Sequence, residues 1–112
     1  DRVETNPSSG CSWSQGTFDT NCQFLKTVVD ELTSRGRSVG IYASHYMWLQ
    51  IFGAVDKCNL FSNLPLWYAH YDNKQDFSDW EANKFGGWTS PSIKQFAGDS
   101  PLCGYHVDLS YY

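Results

Sequence analysis

Two of the twelve acidic residues lie where a carboxylate could take part in chemistry rather than only face solvent. Glu4 ends a short β-like segment before a loop with Pro and Gly, and Asp108 lies in the apolar strand pattern of residues 105–109. Two acids at the carboxyl ends of barrel strands can cleave a glycosidic bond. One protonates the leaving oxygen and the other stabilises or captures the sugar cation. Spacing alone favours the simpler interpretation, two solvated acids on separate strands.

Aromatic residues are a second candidate feature, because nineteen Trp, Tyr and Phe make up 17% of the chain. Several of them fall at predicted strand ends or in loops: Trp67, Tyr68, Tyr71, Trp88 and Phe96. Flat rings can stack on sugar faces, and they can equally pack in a core. For any single Trp the core is the more common place.

Other site chemistries have little support in the sequence. The three histidines, His45, His70 and His106, form no H-x-x-H or H-E-x-x-H pattern for a metal. Ser44 follows Ala and precedes His, so it is not the serine of a G-x-S-x-G motif. Gly86-Gly87 alone is weak evidence for a phosphate loop. We therefore expect no metal and no cofactor.

Length and charge exclude several classes of protein. A chain of 112 residues is at most one domain. The dense aromatics argue against disorder. A net charge of −4 without a basic run argues against a nucleic-acid partner. No apolar run reaches the roughly 18 residues of a membrane span, and the polar first residues show no signal peptide.

The four cysteines, Cys11, Cys22, Cys58 and Cys103, allow three pairings into two disulfides. We favour Cys11–Cys22, which closes a short local loop, together with Cys58–Cys103, which ties the middle of the chain to its end. This pairing predicts an oxidising compartment. The alternative is four reduced cysteines packed as small apolar residues.

The order of predicted elements indicates an α/β architecture that loses its helices late. Thr17 or Asp19 can cap a helix whose apolar face runs from Cys22 to Leu32 and which stops at Gly36. A second helix is predicted over residues 44–52, with Gly53 as its stop. The predicted strands are 38–44, 65–71, 93–97 and 105–109, with a long loop over 72–91.

Four motifs in order resemble the later strands of glycoside hydrolase family 25, the Chalaropsis-type lysozymes. They are VGIYAS at 39–44 followed by Trp48, LPLWYA at 64–69, IKQF at 93–96 and VDL at 107–109. The loop at 6–13 and the cysteines resemble the invertebrate branch found in nematodes. The resemblance covers essentially all 112 residues.

The resemblance implies a secreted or lysosomal monomer that cuts the β-1,4 bond between N-acetylmuramic acid and N-acetylglucosamine in bacterial peptidoglycan. Digestion of bacteria and antibacterial defence are the roles that it implies. The implied fold is a partial (β/α) barrel whose last strands lack full helices. Glu4 matches the proton donor of the family and Asp108 a further active-site acid. The implied sugar-lining residues are Tyr42, Trp67, Tyr68, Tyr71, Gln95 and Trp88.

The sequence departs from the family pattern beside the proton donor. The family carries an Asp two residues before the Glu, and Arg2 stands there. We expect Arg2 to lower the pKa of Glu4, the wrong direction for a general acid. Asp1 is three residues before Glu4 and faces the opposite side of a regular strand, although a bulge could bring it round as a third catalytic acid.

The resemblance also begins at the fourth strand of the family barrel. A (β/α) barrel usually needs about 200 residues or more. Residues 1–112 are therefore interpreted as the C-terminal half of a catalytic domain. One alternative is a non-catalytic glycan-binding remnant that keeps Trp67, Tyr68 and Trp88 as a sugar platform. The other is a small disulfide-bonded extracellular domain without a sugar function.

Overall fold

The computed structural model describes residues 1–7 and 10–112. Its strands form one sheet in the order of the chain: β1 (Arg2–Glu4), β2 (Gly40–Ala43), β3 (Leu66–Ala69), β4 (Ile93–Leu102) and β5 (Tyr105–Tyr111). The first four strands are parallel, and β5 returns antiparallel to β4. In the part of the chain that the structure describes, three α-helices and one 3-10 turn connect them: Trp13–Gln15 (3-10), α1 (Phe18–Ser34), α2 (His45–Phe52) and α3 (Trp80–Asn83).

The helix boundaries follow from capping chemistry that the sequence displays. The side chain of Thr17 accepts a hydrogen bond from the backbone N–H of Thr20, and Thr20 returns the contact, which forms a capping box at the start of α1. Ser44 caps α2 through the N–H of Met47. Gly53 ends α2 at a φ of 86°, a conformation that glycine adopts without steric cost. The predicted Thr17 cap and the Gly53 stop are confirmed, whereas the Ser44 cap was not predicted.

The sheet has one face covered by helices and one face free of them. In register, Val3, Ile41 and Leu66 point to the helices and belong to the core that α1 and α2 complete. Side chains alternate along a strand, so the neighbouring register row faces the other way. We call that other side the inner face, and its first row is Glu4 with Tyr42 and Trp67.

The core behind the sheet is built largely from aromatic rings. Trp48 on α2 is fully buried and packs against Phe52, Phe85 and Trp88, with ring centroids 4.5 to 5.5 Å apart. Tyr68 and Trp80 complete this group at 5.0 Å from each other. Large rings bury much apolar area for each residue, which lets a chain of this length form a core.

The last two strands differ from the prediction. Residues 93–97 and 105–109 are parts of one long hairpin, Ile93–Leu102 with Tyr105–Tyr111. Its turn is Cys103-Gly104, with φ values of 51° and 81°. Gly98 and Asp99 lie where the β4–β5 register is irregular, so the strand continues through them. The predicted loop 72–91 likewise contains the short helix α3, and the strands predicted at 38–44 and 65–71 are shorter.

The predicted disulfide pairing is wrong. Cys22 bonds to Cys58, with 5.7 Å between their Cα atoms, while Cys11 and Cys103 are free and exposed. The prediction favoured closure of the shortest loop. In the fold, Cys22 packs against the core from α1, where the segment after α2 brings Cys58 beside it. The disulfide therefore ties α1 to the segment that follows α2.

Within residues 1–7 and 10–112, no helix is long and apolar enough to cross a membrane. The parallel strands and their connecting helices form part of a barrel. The helices become short after β3, where α3 has four residues. This arrangement is the partial (β/α) barrel that the sequence predicts, and it opens the inner face of the sheet.

Candidate functional site

Glu4 lies at the carboxyl end of β1 and is partly withdrawn from water, with 36% of its side chain exposed. The backbone N–H of Asn6 donates to Glu4 Oε1 at 2.9 Å, and Arg2 Nη2 lies 3.7 Å from Oε2. Burial raises the pKa of Glu4, against the opposing effects of the Asn6 N–H and of Arg2. Arg2 lowers the pKa of Glu4 as expected, but burial raises that pKa by more. A carboxyl group with a raised pKa keeps its proton to higher pH, as a general acid must.

Asp108 on β5 is held from two sides. Gln95 Nε2 donates to Asp108 Oδ2 at 3.0 Å, and the backbone N–H of Asp99 donates to Oδ1 at 3.0 Å. Asp99 has a φ of 56° in the irregular part of the β4–β5 pairing. This irregularity turns the N–H of Asp99 toward the carboxylate.

Tyr42 is the residue that links the two acids. It is 6% exposed, and its hydroxyl donates to Gln95 Oε1. Burial raises the pKa of Tyr42, and Tyr71 and the negative charges of Glu4 and Asp108 raise it further. Glu4 is the register partner of Tyr42 across β1 and β2, and Gln95 bonds both Tyr42 and Asp108. The fold therefore places both acids near one buried tyrosine.

Aromatic rings extend from this centre along the inner face. Trp67 meets Tyr42 edge-on at 5.2 Å, and its indole N–H donates to Ser110 Oγ at 3.2 Å. Tyr71 is 55% exposed, and its hydroxyl donates to Gln95 Oε1 at 2.9 Å. The guanidinium carbon of Arg2 lies 5.0 Å from the Trp67 ring and 5.3 Å from the Tyr42 ring, which is cation–π geometry. The inner face thus combines carboxylates, phenols and one indole.

Three of the predicted site residues do not reach this surface. Tyr68 follows Trp67 on β3, so it points to the helices, where it is 1% exposed. Trp88 is 4% exposed, lies in the core and donates its indole N–H to the carbonyl of Leu64 at 2.8 Å. Asp1 accepts two hydrogen bonds from Arg37, at 2.6 and 3.0 Å.

The predictions for these residues are corrected as follows. Tyr68 and Trp88 do not line the inner face and form part of the hydrophobic interior. Asp1 precedes the amino-terminal end of β1, whereas Glu4 ends that strand. Its carboxylate is engaged by Arg37, and the bulge that could have turned it toward Glu4 is not seen. The structure brings together Glu4 and Asp108 with Tyr42, Trp67, Tyr71 and Gln95.

A buried ion cluster behind the sheet was not predicted. The side chain of Lys94 on β4 is fully buried, and its ammonium donates to Asp72 and Asp79 at 2.8 Å each. His70 Nδ1 contacts Asp79, and the hydroxyl of Tyr68 donates to it at 2.8 Å. Burial tends to raise the pKa of Asp79, but hydrogen bonds from Lys94, His70 and Tyr68 lower it to about 2. The sequence feature that could have predicted the cluster is strand alternation, which places Lys94 and Gln95 on different faces of the sheet.

The acids of this cluster have the chemistry of metal ligands but already share the ammonium of Lys94. One ligand atom each from His70, Asp72 and Asp79 lies within 4.8 Å of the others. Lys94 donates to both carboxylates, so its ammonium supplies the positive charge that a cation would bring. We interpret the cluster as a structural ion network that fixes the segment after β3.

A cleft of about 480 Å³ opens beside Glu4. Trp13 and Phe24 are among its walls, with Thr5 and Asn21 at its base. Asp108 does not line it. The two acids therefore share the inner face around Tyr42, and the cleft extends from the Glu4 side toward α1.

The chain is similar to known proteins in sequence and in fold. A family model described as Lysozyme-like protein 1 matches residues 5–96. The Dictyostelium discoideum protein named Probable GH family 25 lysozyme 3 is 39% identical over 110 residues, which are 98% of this chain and 22% of that protein. Lysozyme-like protein 7 of Caenorhabditis elegans is 35% identical over 101 residues, covering 84% of this chain and 34% of the nematode protein.

The fold also has solved counterparts. The structure of muramidase from Acremonium alcalophilum superposes with a TM-score of 0.75 at 20% identity, covering 99% of this chain and 49% of that chain. At this identity the likeness shows the fold alone, and it confirms the partial barrel. The chain spans less than half the length of each of these three proteins.

Proposed function

Because the chain belongs to the lysozyme-like proteins of glycoside hydrolase family 25, we propose that the protein hydrolyses the β-1,4 bond between N-acetylmuramic acid and N-acetylglucosamine in bacterial peptidoglycan. The observation that carries the proposal is that Glu4 lies beside Tyr42 in the sheet register and that Gln95 bonds both Tyr42 and Asp108. Hydrolysis of a glycosidic bond needs two carboxyl groups with different protonation states. Burial keeps Glu4 protonated to higher pH, and Asp108 accepts two hydrogen bonds as a carboxylate does.

In the proposed reaction Glu4 is the proton donor. It transfers its proton to the glycosidic oxygen, and the bond between C1 and that oxygen breaks with its electron pair going to the oxygen. Asp108 stabilises the positive charge that develops on the sugar. Water adds to C1 and gives up a proton, which restores the acid form of the site. No metal or cofactor takes part in this proposal.

The substrate would lie along the aromatic part of the inner face. Trp67 and Tyr71 are accessible enough to contact a sugar ring, and Tyr42 forms the floor between the acids. We further propose that the protein acts as a monomer outside the cell or in a lysosome, in digestion or antibacterial defence. The Cys22–Cys58 disulfide supports an oxidising compartment. That residues 1–112 form the C-terminal half of the catalytic domain stays a prediction.

A second candidate function is glycan binding without turnover. The observation that favours it is Arg2, which replaces the acid that the family pattern places two residues before Glu4. Its guanidinium also lies against the Trp67 and Tyr42 rings. The sugar platform of such a protein would be Trp67 and Tyr71, because Tyr68 and Trp88 are buried.

The test is Glu4→Gln in the complete polypeptide that carries this chain, with Glu31→Gln as the matched control. Glu31 is an exposed glutamate on α1 that pairs with Arg35. Clearing of a bacterial cell-wall suspension and retention on insoluble peptidoglycan are measured in parallel. We expect Glu4→Gln to lower clearing by about 10²- to 10⁴-fold while retention persists, and Glu31→Gln to change neither.

The outcomes separate the two functions. If Glu4→Gln clears walls as fast as the parent protein, Glu4 is not the proton donor. If the parent protein is retained on peptidoglycan but does not clear it, the binding function replaces the hydrolytic one. If it is neither retained nor active, both proposals fail.

A further inference from the structure

Gln95 is the most connected side chain of the inner face, and it is 4% exposed. It contacts Tyr42 from β2, Tyr71 from the segment after β3, and Asp108 from β5. We propose that Gln95 is a positioning residue that fixes the orientation of Asp108, and that it does not contact the substrate. This inference rests on the proposed hydrolytic function and assigns a role within it.

The hydrogen bonds allow the Gln95 amide only one orientation. A carboxylate offers acceptors alone, so the amide nitrogen must face Asp108 and the amide oxygen must face away from it. The hydroxyls of Tyr42 and Tyr71 both donate to that oxygen. A flipped amide would place its oxygen 3.0 Å from the Asp108 carboxylate, where two acceptors repel. The two tyrosines and the aspartate therefore require the same orientation.

These hydrogen bonds fix the plane of the Asp108 carboxylate, although Asp108 lies on an exposed strand. Gln95 holds Oδ2 of Asp108 and the N–H of Asp99 holds Oδ1. Asp108 itself is exposed, and without these donors its side chain would be free to change rotamer. A catalytic carboxylate needs to stay within about 0.5 Å of its working position. Gln95 supplies the side-chain part of this restraint, and the backbone of Asp99 supplies the other part.

The same contacts argue against a direct role for Gln95 in sugar binding. Its amide oxygen already accepts two hydrogen bonds, and one amide hydrogen is used by Asp108. The residue accepts a hydrogen bond from the exposed Tyr71 and is almost fully buried. A sugar hydroxyl would have to displace one of the phenols to reach the amide oxygen.

The strand that carries Gln95 is also held by contacts on its other face. The preceding residue, Lys94, points to the other face and binds Asp72 and Asp79. Asp72 directly follows Tyr71, and the N–H of His70 donates to the carbonyl of Gln95 at 3.0 Å. The ion cluster thus holds the segment that brings Tyr71 to the amide.

The experiment compares Gln95→Met and Gln95→Glu with the parent protein in the complete polypeptide, and Gln50→Met serves as the control. Gln50 is an exposed residue of α2. The measurements are kcat and KM on soluble peptidoglycan glycan chains, and the χ1 rotamer populations of Asp108 from NMR couplings. We expect both Gln95 variants to lower kcat by about 10- to 100-fold with KM within about twofold. We also expect Asp108 to populate more than one rotamer, with Gln50→Met matching the parent protein.

Contrary outcomes are distinct from failure of the proposed function. A raised KM with unchanged kcat would make Gln95 a substrate contact, and a single Asp108 rotamer in Gln95→Glu would show that Asp99 suffices. Gln95→Glu keeps the side-chain volume, so it remains a test if Gln95→Met does not fold. If the parent protein has no hydrolytic activity, the proposed function fails, while the rotamer populations still decide whether Gln95 positions Asp108.

Discussion

Arg2 and Glu4 lie on the same side of β1, with Arg2 Nη2 3.7 Å from Glu4 Oε2. This pair places a cation where the family resemblance calls for a second acid. The distance is too long for a hydrogen bond, so Arg2 acts on Glu4 mainly through its charge. Burial of Glu4 outweighs that charge, and the pKa of Glu4 remains raised. Arg2 therefore opposes, but does not reverse, the raised pKa that the proposed proton donor Glu4 needs.

Replacing Arg2 should move the pH dependence of activity upward. A general acid works in its protonated form, so activity falls as the pH rises through its pKa. Arg2→Gln removes a nearby positive charge that favours the ionised form, which raises the pKa of Glu4 further. We expect the alkaline limb of the kcat/KM profile to shift to higher pH. The measurement is cell-wall clearing between pH 4 and pH 9.

Arg37→Gln is the matched control for Arg2→Gln. Arg37 is an exposed arginine that pairs with Asp1 rather than with Glu4. Arg37→Gln should leave the alkaline limb of the kcat/KM profile at the same pH. A shift to lower pH in Arg2→Gln, or an equal shift in both variants, would contradict the assignment of Glu4 as the titrating acid.

The ion cluster around Lys94 should make folding stability depend on pH in the acid range. The pKa of Asp79 is about 2 in the fold, below the ordinary value of 3.8. Its contribution is therefore complete above about pH 4 and is lost as the pH falls toward 2. The difference corresponds to about 2 kcal/mol of unfolding free energy. Asp79→Asn should lose about that amount at pH 7 and much less at pH 2, as measured by urea unfolding.

Asp76→Asn tests whether this effect belongs to the cluster. Asp76 is an exposed acid of the same segment whose pKa is lowered by hydrogen bonds from Ser78. It does not contact Lys94 directly, so we expect a smaller loss at pH 7. Equal losses in the two variants would indicate that Lys94 does not depend on Asp79 for its burial.

The sequence predicts best those features that depend on neighbouring residues. The Thr17 cap and the Gly53 stop follow from local backbone chemistry, and the structure has both. Strand alternation separates Trp67 from Tyr68 and Lys94 from Gln95. The aromatic motif at 64–69 favours a shared sugar surface instead, and alternation alone does not tell which face is buried.

Features that depend on packing between distant segments could not be predicted in this way. The Cys22–Cys58 disulfide needs α1 to lie beside the segment after α2, which no local pattern states. The burial of Trp88 depends on Trp48, which comes from α2. The contact of Gln95 with Asp108 depends on the irregular pairing near Asp99. Each is a tertiary relationship that only the fold defines.

Reduction of the disulfide should destabilise the protein without affecting the free cysteines. Cys22 and Cys58 are separated by 36 residues. A cross-link over a loop of that size contributes about 3–4 kcal/mol through the unfolded chain. Cys22→Ala with Cys58→Ala should lower the unfolding free energy by that amount, and Cys103→Ser should leave it unchanged. Labelling of the native protein with a thiol reagent should modify Cys11 and Cys103 alone.

Replacing Trp88 by alanine should lower stability, whereas replacing Trp67 by alanine should lower glycan binding. Trp88 is 4% exposed and packs on Trp48, so Trp88→Ala should cost about 3–5 kcal/mol of stability. Trp67 is half-buried on the inner face, so Trp67→Ala should weaken retention of peptidoglycan glycan chains by about fivefold, for a ring contact of about 1 kcal/mol. Binding is measured by calorimetry and stability by urea unfolding. If Trp88→Ala folds normally and loses glycan affinity while Trp67→Ala keeps it, the substrate lies elsewhere than on the inner face.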